Sequence, residues 1–123
     1  MLRLEAPHTF SFSWNEQWRK WLSRVYLFLA KIQHIEQELA PEEVSANTTE
    51  EQMFAITNQQ PNLPIITTKD IIYVNKPTHQ AGLGIVNVRA SDDDEIAITF
   101  MNNTGSPITP ATETYQIIAV RRD

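Results

Sequence analysis

Residues 14–39 read WNEQWRKWLSRVYLFLAKIQHIEQEL, and this stretch decides the predicted fold. Its large apolar residues recur at alternating spacings of four and three, which is typical of a helix that meets a partner along a heptad seam. The seam consists of Trp14, Trp18, Trp21, Val25, Phe28, Ile32, Ile35 and Leu39. The spacing predicts one amphipathic helix over about residues 14–40, with the seam as its oligomer or partner interface.

Two local signals set the ends of this helix. Ser13 and Glu16 form a capping box, which predicts a helix start at Trp14. Pro41 disfavours helical backbone at the residue before it, and a polar run follows. We therefore expect an extended arm at 1–12, an assembly or docking helix at 13–40, a linker at 41–51 and a β-domain at 52–123. The alternative is an ordinary helix that folds against its own domain.

The period of the pattern changes to two beyond the linker, which predicts strands. Five segments are rich in β-branched and aromatic residues: Gln52–Asn58, Ile71–Lys76, Ile85–Ser91, Glu95–Met101 and Tyr115–Arg121. The predicted fold class is α+β, with an N-terminal amphipathic helix followed by a small antiparallel β-sandwich or barrel of about five strands. The core is predicted to contain Phe54, Val74, Val86, Ile96, Ile98, Phe100 and Ile117 or Ile118.

Composition narrows the classes of function. The chain has 123 residues and no cysteine, which excludes disulfides and cysteine-ligated zinc. Its net charge of −5 opposes general nucleic-acid binding, because phosphate backbones attract clustered Lys and Arg. Residues 1–31 carry five basic against two acidic side chains, whereas residues 32–60 carry six acidic and no basic ones. No apolar run is long enough for a membrane span and no signal peptide is recognisable, so we expect a soluble protein made in a cytoplasm.

No metal or phosphate site is predicted. His8, His34 and His79 lie far apart in the sequence without ligand spacing, which favours surface or capping roles. Four carboxylates at 92–95 can in principle bind calcium, but their spacing differs from an EF-hand loop and favours a polar hairpin tip. Gly82-Leu83-Gly84 lies between two predicted strands rather than before a helix, which argues against a phosphate loop.

No catalytic constellation is predicted either. Asp94 and Glu95 with Glu113 form at most a weak candidate for a glycosidase pair. Tyr73 and Tyr115 can be part of a sugar-binding platform, although a tyrosine in a strand is more often packed in a core or along an edge. No nucleophile, base and oxyanion donors come together, so the protein is predicted not to be an enzyme and to need no cofactor.

Residues 74–122 resemble a β-domain that recurs in small structural proteins of tailed bacteriophages. The shared pattern is a lysine-proline pair, an "AGL-GI" strand leading into "V-R-V-S", an alternating strand, an "N-x-T" turn, a "TP" loop and a final tyrosine-led strand. It is carried here by Lys76-Pro77, Ala81–Val86, Val88–Ser91, Ile96–Phe100, Asn102–Thr104, Thr109-Pro110 and Tyr115–Arg121. Residues 46–57 are similar to the opening strand of that family. Ala90, where a larger apolar residue is usual, and the extra acid at 92–94 depart from the pattern.

The resemblance implies a non-enzymatic component of a virion, with capsid decoration or cement as the first expectation. A neck, tail-adaptor or fibre-attachment protein is the alternative, and a carbohydrate-binding β-module is the alternative from another class. The expected partners are other virion proteins and further copies of the chain, not nucleic acid or a membrane. A homotrimer is favoured because β-branched Val25 and Ile32 share one seam position while Phe28 and Ile35 share the other.

Overall fold

A computed structural model of the chain describes residues 15–25, 31–58 and 63–122. The chain divides into two compact units, residues 1–31 and residues 32–123. The predicted linker at 41–51 and the predicted domain start at residue 52 therefore both fall inside the second unit. The α+β class is confirmed, since the described residues form one short helix and an antiparallel β-structure.

The helix of the first unit, α1, covers residues 15–25 among those described. At 3.6 residues per turn, its apolar side chains form a stripe roughly 100° wide, and the charged residues lie on the rest of its surface. The stripe consists of Trp18, Trp21, Leu22 and Val25. The prediction of a helix that continues to residue 40 is wrong, because Ile32–Leu39 is a strand, β1.

The strand β1 carries a pattern that imitates a helix. Ile35 and Leu39 face the core, and Gln37 occupies the inward position between them. Because Gln37 is polar, the regular alternation of apolar and polar residues that identifies a strand is interrupted here. Gln37 is accommodated because its amide makes two hydrogen bonds: Nε2 donates to the carbonyl of Ala55 at 2.8 Å, and Oε1 accepts from the Thr57 amide at 2.8 Å. A buried polar group costs little when it is paired in this way.

Five more strands complete the second unit: β2 Thr48–Ala55, β3 Ile71–Asn75, β4 Leu83–Asp92, β5 Glu95–Asn102 and β6 Glu113–Val120. Together with β1 they form two antiparallel three-stranded sheets that do not close into a barrel. Sheet 1 has the order β1-β6-β3 and sheet 2 the order β2-β5-β4. The prediction of five strands is therefore wrong, because it lacks β1. The strands β3 to β6 lie close to their predicted positions.

The first half of β2 lies inside the predicted linker. The sequence does not show this start of the strand, because its inward side chains are polar, and they are accommodated by hydrogen bonds. Gln52 acts as a substitute strand partner for Glu42: its amide accepts from the Glu42 N–H at 2.8 Å and donates to the Glu42 carbonyl at 2.9 Å. Glu50 accepts from the Ser45 amide at 2.7 Å. These bonds attach the segment before β2 to the strand itself.

Both sheets contribute side chains to one core. Its buried members are Leu39, Val44, Ile56, Ile66, Ile72, Ala90, Ile96, Ile98, Phe100, Tyr115, Ile117 and Ala119. Most of the predicted core is confirmed, with Phe54 and Val74 partly buried against it. The prediction that Val86 lies in the core is wrong. Its side chain is 54% exposed, because a bulge between Ile85 and Asn87 shifts the register and turns it outward. Ile118 also points outward.

Asn102, at the end of β5, is completely buried and joins the loop that follows it to the segment around Val44. Its amide nitrogen donates to the carbonyls of Val44 at 3.1 Å and Ser106 at 2.8 Å. Its amide oxygen accepts from the N–H of Thr104 at 2.9 Å and from its hydroxyl at 2.7 Å. All four hydrogen-bonding positions of one side chain are thus used within the protein.

Replacement of Asn102 by leucine is expected to destabilise the protein by about 1–3 kcal/mol. The Thr104 N–H loses its acceptor, and the carbonyls of Val44 and Ser106 each lose one of two hydrogen bonds. The free energy of unfolding from urea titration measures this. Asn103→Leu is the matched control, since Asn103 is exposed and adjacent, and it should change stability much less. Equal losses in the two variants would contradict the role given to Asn102.

A fragment that starts at Ser45 is expected not to fold cooperatively, whereas one that starts at Lys31 should. The shorter fragment lacks β1 and with it Ile35 and Leu39, and loss of each such side chain costs about 2–5 kcal/mol. Together these losses approach the total stability of a small domain, about 5–15 kcal/mol. Urea unfolding followed by circular dichroism measures both. A cooperative transition of the shorter fragment at the midpoint of the longer one would show that β1 is dispensable.

Candidate interaction site

The apolar stripe of α1 exposes two tryptophans side by side. The rings of Trp18 and Trp21 stack with centroids 5.1 Å apart and an interplanar angle of 12°. Residues three apart on a helix are surface neighbours, which brings the two rings together. Trp18 is 47% exposed, Trp21 51% and Leu22 45%. Exposed aromatic clusters of this kind mark sites of protein association.

The structure brings together only part of the predicted seam. Trp18, Trp21 and Val25 lie on one face of α1, while Trp14 and Phe28 lie outside the described residues. The other three seam residues belong to β1 and not to a helix: Ile32 lies on the outer face of sheet 1, and Ile35 and Leu39 contribute to the core. The site on α1 therefore consists of Trp18, Trp21, Leu22 and Val25.

The polar face of α1 is basic. Arg19, Lys20 and Arg24 accompany a single acidic residue, Glu16, and all four are exposed. An apolar stripe bordered by cations is complementary to an apolar groove with an acidic rim. Within residues 15–25, 31–58 and 63–122, no helix is long and apolar enough to cross a membrane.

The acidic turn at 92–95 has a structural role. Asp94 adopts a positive φ of 53°, and its carboxylate accepts hydrogen bonds from the amides of Ile65 at 2.9 Å and Ile66 at 3.1 Å. It also accepts from Asn58 Nδ2 at 2.7 Å, which fastens the loop before β3 to this hairpin. Among the described residues, no three or more His, Asp or Glu side chains are placed to hold a metal ion.

Glu113 is engaged in an ion pair rather than placed as a catalytic acid. Its carboxylate lies 3.1 Å from Lys76 Nζ and accepts a hydrogen bond from the Thr78 hydroxyl at 2.5 Å. The bond from Thr78 is the main reason that the pKa of Glu113 lies below its ordinary value of 4.5; burial opposes this effect and Lys76 adds to it. The general acid of a glycosidase needs the opposite, a raised pKa.

Tyr73 and Tyr115 do not form a sugar platform, and Tyr115 is packed in the core, as is more usual for a strand tyrosine. Tyr115 is completely buried, its hydroxyl donates to the Ala111 carbonyl at 3.3 Å, and burial raises its pKa to about 12, with a further contribution from Glu113. Tyr73 is exposed, but on the outer face of sheet 1. A shallow hollow of about 500 Å³ lies beside the Asn102 loop, and none of its lining side chains is aromatic.

Gly82, in the turn before β4, allows close contact between two chain segments. Gly82 has a φ of +83°, and a side-chain β-carbon there would stand 2.1 Å from the methyl group of Thr104. The Gly82 carbonyl accepts from the Asn103 amide at 2.9 Å. Only glycine at position 82 allows the loop after β5 to approach this turn so closely.

Sequence reasoning missed a second apolar surface, on the outer face of sheet 1. Ile71 and Ile118 are exposed there at 43% and 38%. The available signal was the adjacent pairs Ile71-Ile72 and Ile117-Ile118, since a strand with one wet face carries polar residues at alternate positions. Consecutive isoleucines in a strand indicate that both faces are apolar.

Comparisons with known proteins add no identification. No protein-family model matches the chain, and no curated protein or solved structure is significantly similar to it. The resemblance of residues 74–122 to phage β-domains stays a prediction. The geometry of the chain itself is therefore what supports a function.

Glu113→Gln is expected to lose stability near neutral pH and to converge with the natural protein in acid. A carboxylate whose pKa is lowered by folding stabilises the protein above its unfolded pKa of 4.5, and this contribution disappears as the pH falls through the lower folded value. Urea midpoints measured across this range test the effect. Glu38→Gln, an exposed replacement on β1, is the control. A Glu113→Gln curve parallel to that of the natural protein would contradict it.

Proposed function

We propose that the protein is a non-enzymatic structural component of a tailed-bacteriophage virion, which attaches through the apolar stripe of α1 and acts as a capsid decoration or cement protein. The observation that carries the proposal is the stacked, half-exposed pair Trp18 and Trp21 with Leu22 beside it. Such a surface is costly in water and becomes favourable when a partner covers it.

The chemistry of the described carboxylates also supports a role without catalysis. Asp94 holds a loop, Glu113 pairs with Lys76, and Glu51 makes a bidentate pair with Arg89 at 2.9 and 3.0 Å. The hydrogen bond from Arg89 lowers the pKa of Glu51. These three carboxylates bind other side chains or main-chain groups at separate places in the β-unit: the turn after β4, the start of β6 and the middle of β2.

The resemblance of residues 74–122 to phage structural domains supplies the context of a particle. In such a protein, a rigid β-unit is presented by a segment that docks on the shell. The basic polar face of α1 suits an acidic rim around the docking groove. The proposed assembly through α1 is a homotrimer, a symmetry supported by the phage resemblance alone, because Ile32 and Ile35 of the seam argument lie on β1.

Antibody labelling of particles whose genome encodes this chain tests the location. Antibodies raised against residues 32–123 and imaged by negative-stain electron microscopy should label the capsid surface at regular positions. Label confined to the neck or tail would replace decoration by the adaptor or fibre-attachment role. Particles that contain no label, and no copy of the chain by mass spectrometry, would reject a virion protein.

Trp21→Ala is expected to weaken association through α1 while the β-unit stays folded. Truncation of a tryptophan at the centre of an interface costs about 2 kcal/mol or more, which corresponds to at least a roughly 30-fold weaker dissociation constant. Sedimentation equilibrium of the purified full chain measures self-association, and co-sedimentation with particles stripped of the protein measures attachment.

Met53→Ala is the matched control, because Met53 is 52% exposed but lies on β2. It should leave both measurements unchanged. If Trp21→Ala retains the mass and the particle binding of the natural protein, α1 is not the docking element.

A further inference from the structure

The outer face of sheet 1 carries a compact apolar surface, which we call the outer patch. It consists of Ile32, Ile71, Tyr73, Ile118 and Val120. Tyr73 is 60% exposed, Ile71 43% and Ile118 38%, and the other two are half-buried. Natural sheets with one solvated face carry mostly polar side chains there, so five apolar residues together indicate a surface that becomes covered.

The strand register makes these residues contiguous. Val120 of β6 pairs with Ile32 on one side and with Ile71 on the other, which gives one apolar row across the sheet. Ile118, two residues earlier, lies between His34 and Tyr73 and gives the second row. Side chains of adjacent rows on one face are neighbours.

The outer patch lies between an acidic and a basic end. The row beyond Ile118 holds Glu36 beside Gln116, and Glu38 follows on β1. In the other direction, the alternation of β3 and β6 leads to Lys69 and Arg122, where Arg122 Nε donates to the Lys69 carbonyl at 2.5 Å. None of these four charged side chains forms an ion pair within the described residues.

We infer that the outer patch is a homodimer interface, occupied by the same patch of a second copy. The supporting observation is self-complementarity. A two-fold axis that runs across the strands between the two apolar rows places each row on the other row of the second copy. The same rotation brings the acidic end of one copy over the basic end of the other. Glu36 of the second copy then lies one strand away from Arg122, about 4.8 Å in the sheet plane and about 10 Å across the interface, and Arg122 reaches it by turning from the Lys69 carbonyl towards β1.

The charge pattern selects this axis over its alternative. A two-fold axis parallel to the strands would also match apolar rows, but it would place Arg122 against its own copy and Glu36 against Asn75. In an isologous interface residue i meets residue j and j meets i, so one contact between the acidic and the basic end occurs twice. Sheets that pack face to face need side chains of this apolar kind between them.

The size of the outer patch predicts a weak dimer. Three strands and two apolar rows cover roughly 14 Å by 13 Å on each copy, which is smaller than the interfaces of stable complexes and fits a transient dimer. The inference does not rest on the proposed function, because the outer patch and α1 share no residue. If both contacts form, three-fold association through α1 and two-fold association through sheet 1 together produce hexamers or a continuous net.

Tyr73→Glu tests the interface in the full-length protein. The variant is expected to lose the concentration-dependent doubling of mass in sedimentation equilibrium, because it places a charge in the second apolar row. Val86→Glu is the matched control: Val86 is 54% exposed on sheet 2, and its replacement should leave the doubling intact. Thermal unfolding of both variants verifies folding. Equal masses for Tyr73→Glu and the control would overturn the inference.

Charge reversal tests the orientation. Glu36→Lys and Arg122→Glu are each expected to weaken dimerisation, and the double variant is expected to restore it towards the natural level. Because the two side chains belong to opposite ends of the outer patch, restoration requires the axis across the strands. Additive losses in the double variant would overturn the arrangement.

Combination with Trp21→Ala separates the two association surfaces. The doubling that Tyr73→Glu removes should persist in Trp21→Ala, and the variant with both replacements should be a monomer. If Trp21→Ala changes nothing while Tyr73→Glu still halves the mass, the proposal for α1 fails and the outer patch stands. If only Trp21→Ala lowers the mass, the outer patch is rejected.

Discussion

The pairing of β1 with β6 is the constraint on which the rest of the structure depends. The central strand of sheet 1, β6, needs a hydrogen-bonded neighbour on each side, and its inward residues Tyr115, Ile117 and Ala119 occupy the middle of the core. The eight residues of β1 pair with one side of β6 in an unbroken register and place Ile35 and Leu39 beside its inward residues in the core. This demand overrides the helical spacing of residues 32–39, because the main chain at a buried sheet edge must be paired.

Polar side chains in this protein replace the main-chain partners that irregular segments between strands would otherwise lack. The amides of Gln37 and Gln52 and the carboxylate of Asp94 each hold a neighbouring segment by two or more hydrogen bonds, and Asn102 does the same at the other end of sheet 2. A single well-placed side chain satisfies several main-chain groups that would otherwise be costly to bury. The irregular segments between strands are thereby fixed without further strands.

This use of polar side chains also explains how much could be predicted from the sequence. β3 to β6 were accessible because β-branched residues alternate there, and α1 because its stripe follows a helical period up to Val25. β1 and the first half of β2 were hidden, since polar Gln37 and Glu50 at inward positions interrupt the apolar alternation that identifies a strand. The exposed tryptophans were identified from their spacing. The outward direction of the Val86 side chain depends on a bulge, and the apolar outer face of sheet 1 depends on the strand register. A single sequence specifies neither.

The strand order also determines when each half of the β-unit can form during synthesis. Sheet 2 uses segments up to Asn102, whereas sheet 1 brings together β1, β3 and β6, so it cannot assemble until Val120 has left the ribosome. Until then, β1 and β3 wait without their central strand, about 80 and 40 residues upstream of it. Closure of such long loops is slow relative to local pairing. We therefore expect the outer strands of sheet 1 to pair last, once the C-terminal β6 is available to join them.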